Sequence, residues 1–288
     1  KMTSFIINDL ITEFIKTGFD NKASFQVGSF CIMNYMSNFY PRTLEASKGI
    51  KGSFDINYSE PYRIHLSVSP VFAVIDVKWI EKVVKFFEKK RTFLDIEDES
   101  QVAHQIQEII DNHAKFILDL DIDKSKIIVP YQEINEEHQP SFDVTFNSFK
   151  LHSKPSPKYN LSEIDSLFDN YEISINNIQM FLCDKKMSDE FDFISNFEVA
   201  ILTSEKIDSM KASFELSPLK FYLTTFQALL IKEMSSYISD TLKLDQENEN
   251  IKSITSRNLF SIKIPSFSAL LSYDEKPLYQ IEIEKQIN

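Results

Sequence analysis

Residues 62–87 read YRIHLSVSPVFAVIDVKWIEKVVKFF. Tyr62, Ile64, Leu66 and Val68 alternate with Arg63, His65 and Ser67, the two-residue period of a strand with one apolar face. Pro70 interrupts the run, which resumes over Val71–Val77. From Trp79 the spacing lengthens. Ile80, Val83, Val84, Phe86 and Phe87 follow at helical steps between Glu81, Lys82 and Lys85, so the stretch reads as strand, break, strand, amphipathic helix.

Residues 212–238, ASFELSPLKFYLTTFQALLIKEMSSYI, repeat that order. Ser217-Pro218 falls where Ser69-Pro70 falls in the first copy, 148 residues earlier. Two copies of one pattern at a long interval indicate a repeated architecture.

Working outward, alternation marks most of the chain. Ser4–Phe14, Ser24–Met33 and Ser53–Tyr58 read as strands, with Pro41–Gly52 as a loop between the last two. A second helix is predicted over Gln101–Asn112. Phe116, Leu118, Leu120 and Ile122 then oppose Lys115, Asp119, Asp121 and Asp123, and Lys126–Pro130 continues that strand. Ser141–Leu151, Tyr171–Leu182, Asn196–Leu202 and Lys211–Leu223 are four more, and Thr224–Leu242 is a third helix. Phe260, Ile262 and Ile264 restart the pattern of Phe116, Leu118 and Leu120, and Tyr279, Ile281 and Ile283 alternate near the end. Five strands and a crossing segment therefore form the unit. The predicted divisions are 1–112, 113–257 and 258–288: one unit ending in a helical excursion, a second with helix and linker, and the start of a third. A chain that opens and closes in strand-like sequence reads as an internal stretch of a longer array.

Clean alternation predicts a mainly β fold with a few helices, built on antiparallel sheet with one side wet. The apolar side needs a cover, which a second sheet, helices or a ligand can supply. A second sheet makes a β-sandwich, the architecture of a scaffold or protein-interaction module. A ligand makes the sheet a curved, open hydrophobic groove. Hiding a methylene from water is worth roughly 0.8 kcal/mol, so an acyl chain of about sixteen carbons gains on the order of 12 kcal/mol on such a wall.

Composition excludes several classes. Four glycines in 288 residues leave no phosphate-cradling loop. A formal charge of −12 disfavours nucleic acid and direct docking on anionic lipid headgroups. Cys31 and Cys183 lack metal-ligand spacing and read as reduced thiols of a cytosolic protein. The apolar runs are too short to span a bilayer, and no signal peptide is evident.

Three places carry a family resemblance. HLSVSPVFAVIDVKWIEKVVKFF (His65–Phe87), HAKFILDLDIDKSKIIVP (His113–Pro130) and YEISINNIQMFL (Tyr171–Leu182) resemble the chorein family, also called vacuolar protein sorting-associated protein 13, among the bridge-like lipid transfer proteins. The likeness covers most of Ser24–Ile238; the family's amino-terminal capping helix is not seen. The resemblance implies a rod of repeating β-groove units, each five strands and a loop. It implies a cytoplasmic protein, peripheral at organelle membrane contact sites, that carries glycerophospholipid tails between membranes. Adaptor proteins are possible partners, and no cofactor or catalytic residue is implied. What carries over is the apolar face: Ile64, Leu66, Val68, Phe116, Leu118, Leu120, Ile173, Ile175, Phe214 and Leu216, with Ile262 in the restarted pattern.

Other constellations are structural. Asp119-x-Asp121-x-Asp123 lacks the glycine and the distal glutamate of a calcium loop and reads as a wet strand face. His104 and His113 are not spaced as a helical ligand pair, and His65 and His152 lie opposite apolar neighbours. Trp79 reads as packing against the sheet, and the acidic stretch Asp184–Asp192 as a solvated loop. No nucleophile, base and orienting group stand together, so no enzyme is predicted.

Overall fold

The computed structural model describes residues 3–17, 20–34, 42–46, 49–57, 62–76, 116–131, 141–154, 168–200, 210–241, 258–273 and 276–284. The helices expected over Trp79–Phe87 and Gln101–Asn112 lie outside these residues, as does the charged stretch Asp245–Ser256.

The protein is mainly β, built on one large, curved, mixed sheet. Before the first crossing segment run β1 (Thr3–Thr17), β2 (Asp20–Asn34), β3 (Arg42–Ala46), β4 (Ile50–Asn57), β5 (Tyr62–Val68) and β6 (Val71–Val74). Next come β7 (Phe116–Pro130), β8 (Ser141–Lys154), β9 (Phe168–Leu182), β10 (Lys185–Lys186), β11 (Phe191–Ala200), β12 (Met210–Leu216) and β13 (Leu219–Thr224). Helix α1 (Thr225–Thr241) leads to β14 (Asn258–Lys263), β15 (Ser266–Tyr273) and β16 (Lys276–Glu284).

Neighbouring strands are antiparallel except where the chain returns from a crossing. β5 and β6 pair with β7 in parallel, and β12 and β13 pair in parallel with β14 and β15. An all-antiparallel sheet was the expectation; at each parallel joint the chain leaves one strand and enters its neighbour in the same direction, which needs a crossover connection rather than a hairpin. The boundaries expected after 112 and 257 lie outside the described residues, and the strands on either side of each pair directly with one another.

Thirteen strands form the larger sheet, and β13, β15 and β16 a smaller one. The two are one ribbon. Tyr222 donates to the Met187 carbonyl at 2.7 Å and Asp189 to the Lys220 carbonyl at 3.1 Å, which joins β13 to the segment entering β11.

Most strands break at a common level. The breaks are Gly49 between β3 and β4, Ser69-Pro70 between β5 and β6, Ser217-Pro218 between β12 and β13, and Ile264-Pro265 between β14 and β15. β1 and β9 carry left-handed residues at Asp9 and Asn177. On β7, Ile122 and Ser125 share a face although three residues separate them, with Asp123 and Lys124 both exposed between. Proline cannot donate to the ladder, and asparagine and aspartate tolerate the left-handed region; such residues bend strands locally. The result is a crease running across the strands.

Polar side chains stitch the crease where backbone partners are missing. Ser125 Oγ accepts the Val71 amide at 2.8 Å and donates to the Asp123 carbonyl at 2.7 Å. Asp192 Oδ1 accepts the Asn177 amide, and Ser217 Oγ accepts the Asp192 amide, both at 2.8 Å. The two Ser-Pro breaks are structurally equivalent: Ser69 N donates to the Gly49 carbonyl at 3.1 Å, and Ser217 N to the Asp192 carbonyl at 3.0 Å. Each joins a fifth strand to its antiparallel neighbour.

α1 begins with a reciprocal cap. The Gln227 amide donates to Thr224 Oγ1 and the Thr224 amide to Gln227 Oε1. Leu230 and Met234 then bury against Leu182 and Met187. Within the loop expected over Pro41–Gly52, the described residues instead form β3 and the start of β4. Its alternation was faint because Leu44 is the one large apolar residue of β3, beside small Ala46.

Candidate functional site

Strand register shows which side chains share a face, because directly paired residues project from the same side of a sheet. Leu10 of β1 pairs with Val27, Val27 with Ile50, Ile50 with Val68, and Val68 with Ile122. The row continues from Ile122 to Phe149, Ile175, Phe193 and Leu216. Nine strands thus place nine apolar residues in one row, and the row passes straight through the parallel joint between β5 and β7.

The next row holds Leu66, Leu120, Leu151, Ile173, Ser195, Phe214 and Ile262 in successive pairings. Ile64 pairs with Leu118 in the row beyond, and Phe116 pairs with Tyr62 at the following register position. All eleven residues singled out from the sequence therefore occupy one face by register. Ile64, Leu66, Val68, Leu118, Leu120, Ile173, Ile175, Phe214 and Leu216 are half-buried, and Ile262 is 69% exposed.

Full burial on this face is concentrated at the crease. Phe146, Ile178, Phe191 and Leu219 pack there with Ile122, Phe149, Ile175, Phe193 and Leu216 from the other side of the break. Rows from both sides of the crease thus close on each other, so the sheet bends toward its apolar face. α1 covers the strand ends beyond: Leu182, Met187, Leu230 and Met234 form a second buried cluster with Phe142 and Leu223 against it. The smaller sheet takes part in this closure: Leu219 and Phe221 of β13 and Phe267 of β15 pack with Phe146 and Ile178.

The opposite face is polar. Asp119 lies between His65 and His152 in register, and its Oδ1 contacts His152 Nδ1. Lys211 meets Glu198 at 3.3 Å, and Lys263 meets Glu215. These solvent-side pairs set register and solubility more than stability. Lys126 reaches the buried Asp143 carboxylate at 2.7 Å, and Ser141 donates to its other oxygen.

One polar cluster lies between β10 and β11, beside β13. Asp189 accepts from Lys186 Nζ at 3.1 Å and from the Tyr222 hydroxyl at 3.0 Å. The Lys186 contact, with the Tyr222 bond, holds the Asp189 carboxyl below its ordinary range; the bond to Asp189 pushes the Tyr222 phenol up. Among the described residues, no three histidine, cysteine, aspartate or glutamate side chains converge as a metal would need. No helix among them is long and apolar enough to cross a membrane.

Sequence reasoning missed residues that complete the rows: Phe149 and Leu151 on β8, and Phe193 on β11. Alternation within each strand would have found them once cross-strand register was known. It could not have found Gly52, which sits on the Leu66 row because an added Cβ would lie 2.2 Å from the Phe25 ring.

In comparison with known proteins, the sequence matches no family model and no curated protein.

Proposed function

We propose that this chain is a segment of a bridge-like lipid transfer protein of the chorein type. Its bent apolar face holds glycerophospholipid tails while the headgroups remain in water, and lipid moves passively along it between organelle membranes at a contact site. The protein works in the cytoplasm, peripheral to those membranes, and other parts of a longer chain or adaptor proteins hold it there. No bond is made or broken, so the chain is not an enzyme and needs no cofactor.

The observation that carries this reading is the row from Leu10 to Leu216, apolar at every register position and uninterrupted at the crossing. A conduit for hydrocarbon chains requires such a row. Each methylene laid on such a surface contributes roughly 0.8 kcal/mol, and desolvating a headgroup costs several, so tails enter and heads stay out.

Native mass spectrometry of the purified chain, with lipid extraction from the same sample, tests the reading. Co-purifying glycerophospholipid is expected. Protein that is free of lipid, and stays free after incubation with phosphatidylcholine vesicles, refutes it.

A further inference from the structure

Resting on the lipid-binding reading of this face, we propose that a single long hydrocarbon chain lies along β7 and β8, from the crease to beneath α1, in a discrete slot. Two cavities mark its course. One, of about 340 Å³, opens at the crease, where small residues (Val71, Ala73, Ser125) leave room beneath Ile127, Val144 and Ile178. The other, of about 410 Å³, lies between the sheet (Val129, Phe142, Met187) and the helix (Ile231, Met234, Ile238). Ile127 and Val129 are two residues apart on one strand, as are Val144 and Phe142 on the next, so the cavities follow each other along the strand direction. The run from Ile122 to Val129 spans about 20 Å at strand rise, the reach of an extended fatty acyl chain.

The lining selects hydrocarbon. Ser125 supplies the one side-chain hydroxyl at the crease cavity, and it is already bonded to the Val71 amide and the Asp123 carbonyl. A polar ligand would find no free partner there. A dry cavity of about 150 Å³ accepts benzene, so 340 Å³ suits roughly a dozen carbons in single file. Beyond Ile178 the crease is filled by Phe191 and Leu219, which leaves no width for a second chain abreast. Ser235, exposed on α1 at the outer cavity, marks the mouth where a polar head meets water.

The test titrates the whole 288-residue chain, stripped of lipid, with cis-parinaric acid, a fluorescent long-chain fatty acid. A parallel arm presents the same chain within phosphatidylcholine vesicles. One tight site per protein is expected. Val144→Trp, inside the slot, and Ser235→Trp, at its exposed mouth where folding is undisturbed, each weaken binding about ten-fold or more. Ser213→Trp on the polar face leaves it unchanged. Uptake from either source with this variant pattern upholds the slot and identifies which lipid fills it. Tight binding that ignores both slot variants, or several equivalent sites, overturns the slot while leaving the lipid reading standing. Failure to bind from either source overturns both.

Discussion

Replacing Ser125 with alanine removes one oxygen atom and tests whether the crease is held by side chains. Ser125 is 5% exposed. Its hydroxyl accepts the amide of Val71, the first residue after Pro70, and donates to the Asp123 carbonyl. Pro70 has no amide and Val71 starts a new strand, so the ladder offers no substitute for this bond. In Ser125→Ala a donor and an acceptor lose their partner in a buried setting. Each such loss costs about 1–3 kcal/mol, so about 3 kcal/mol in all is expected, with little change in packed volume. Urea denaturation followed by circular dichroism measures it: the midpoint should fall at unchanged slope. Ser125→Thr keeps the hydroxyl and a strand-favouring branched side chain, and should recover most of the loss. Ser213→Ala, on the exposed face, should stay within about 0.5 kcal/mol of the parent. A Ser125→Ala midpoint as close to the parent as the Ser213 control would refute the view that side chains hold the crease.

Leu118→Asp puts a charge on a half-buried position of the apolar face. It should abolish lipid co-purification while leaving the circular dichroism spectrum unchanged; global unfolding would instead mark that position as a sealed core. Gly49 has φ +95°, and an added Cβ would lie 1.8 Å from the Val27 carbonyl oxygen, so Gly49→Ala should cost at least about 2 kcal/mol in the same denaturation assay. Asp189 has a lowered pKa, so its contribution to stability is complete above the unfolded carboxylate pKa of about 4 and is lost as pH falls through its lower folded value. The midpoint difference between the parent and Asp189→Asn should therefore vanish in strong acid. In the same variant, ultraviolet titration should show the Tyr222 phenol ionising at lower pH than in the parent, because the bond that raises it is gone.

The eleven face residues were legible from the sequence because each lies in a run of strict alternation, and alternation within a strand is a local signal. The crease was half legible. Ile173 and Ile175 step to Ile178, and Leu216 steps to Leu219, each by three, and this odd step is the sequence trace of the bend. That most strands break at one level was not legible, since it depends on register between segments far apart in the chain. The parallel joints were hidden for the same reason: the direction of the returning strand is set by a crossing whose path no local pattern encodes. β3 escaped notice because Ala46, in register with Val71, has a side chain too small to register as apolar alternation.

The crease and the single apolar face constrain each other. A strand that crossed the crease in unbroken alternation would turn its outer half inside out, since the side-chain period is two. Ile178, Met180 and Leu182 would then face water, and Asn177 and Gln179 the apolar side. The left-handed Asn177 inserts the odd step on β9, and Ser217-Pro218 does so between β12 and β13. Each strand therefore needs its own breaker at the same height, drawn from residues that tolerate or force irregular backbone: asparagine, serine-proline, glycine. One strand out of phase would place a polar rung across the apolar face, which is costly wherever one side of a sheet is kept from water.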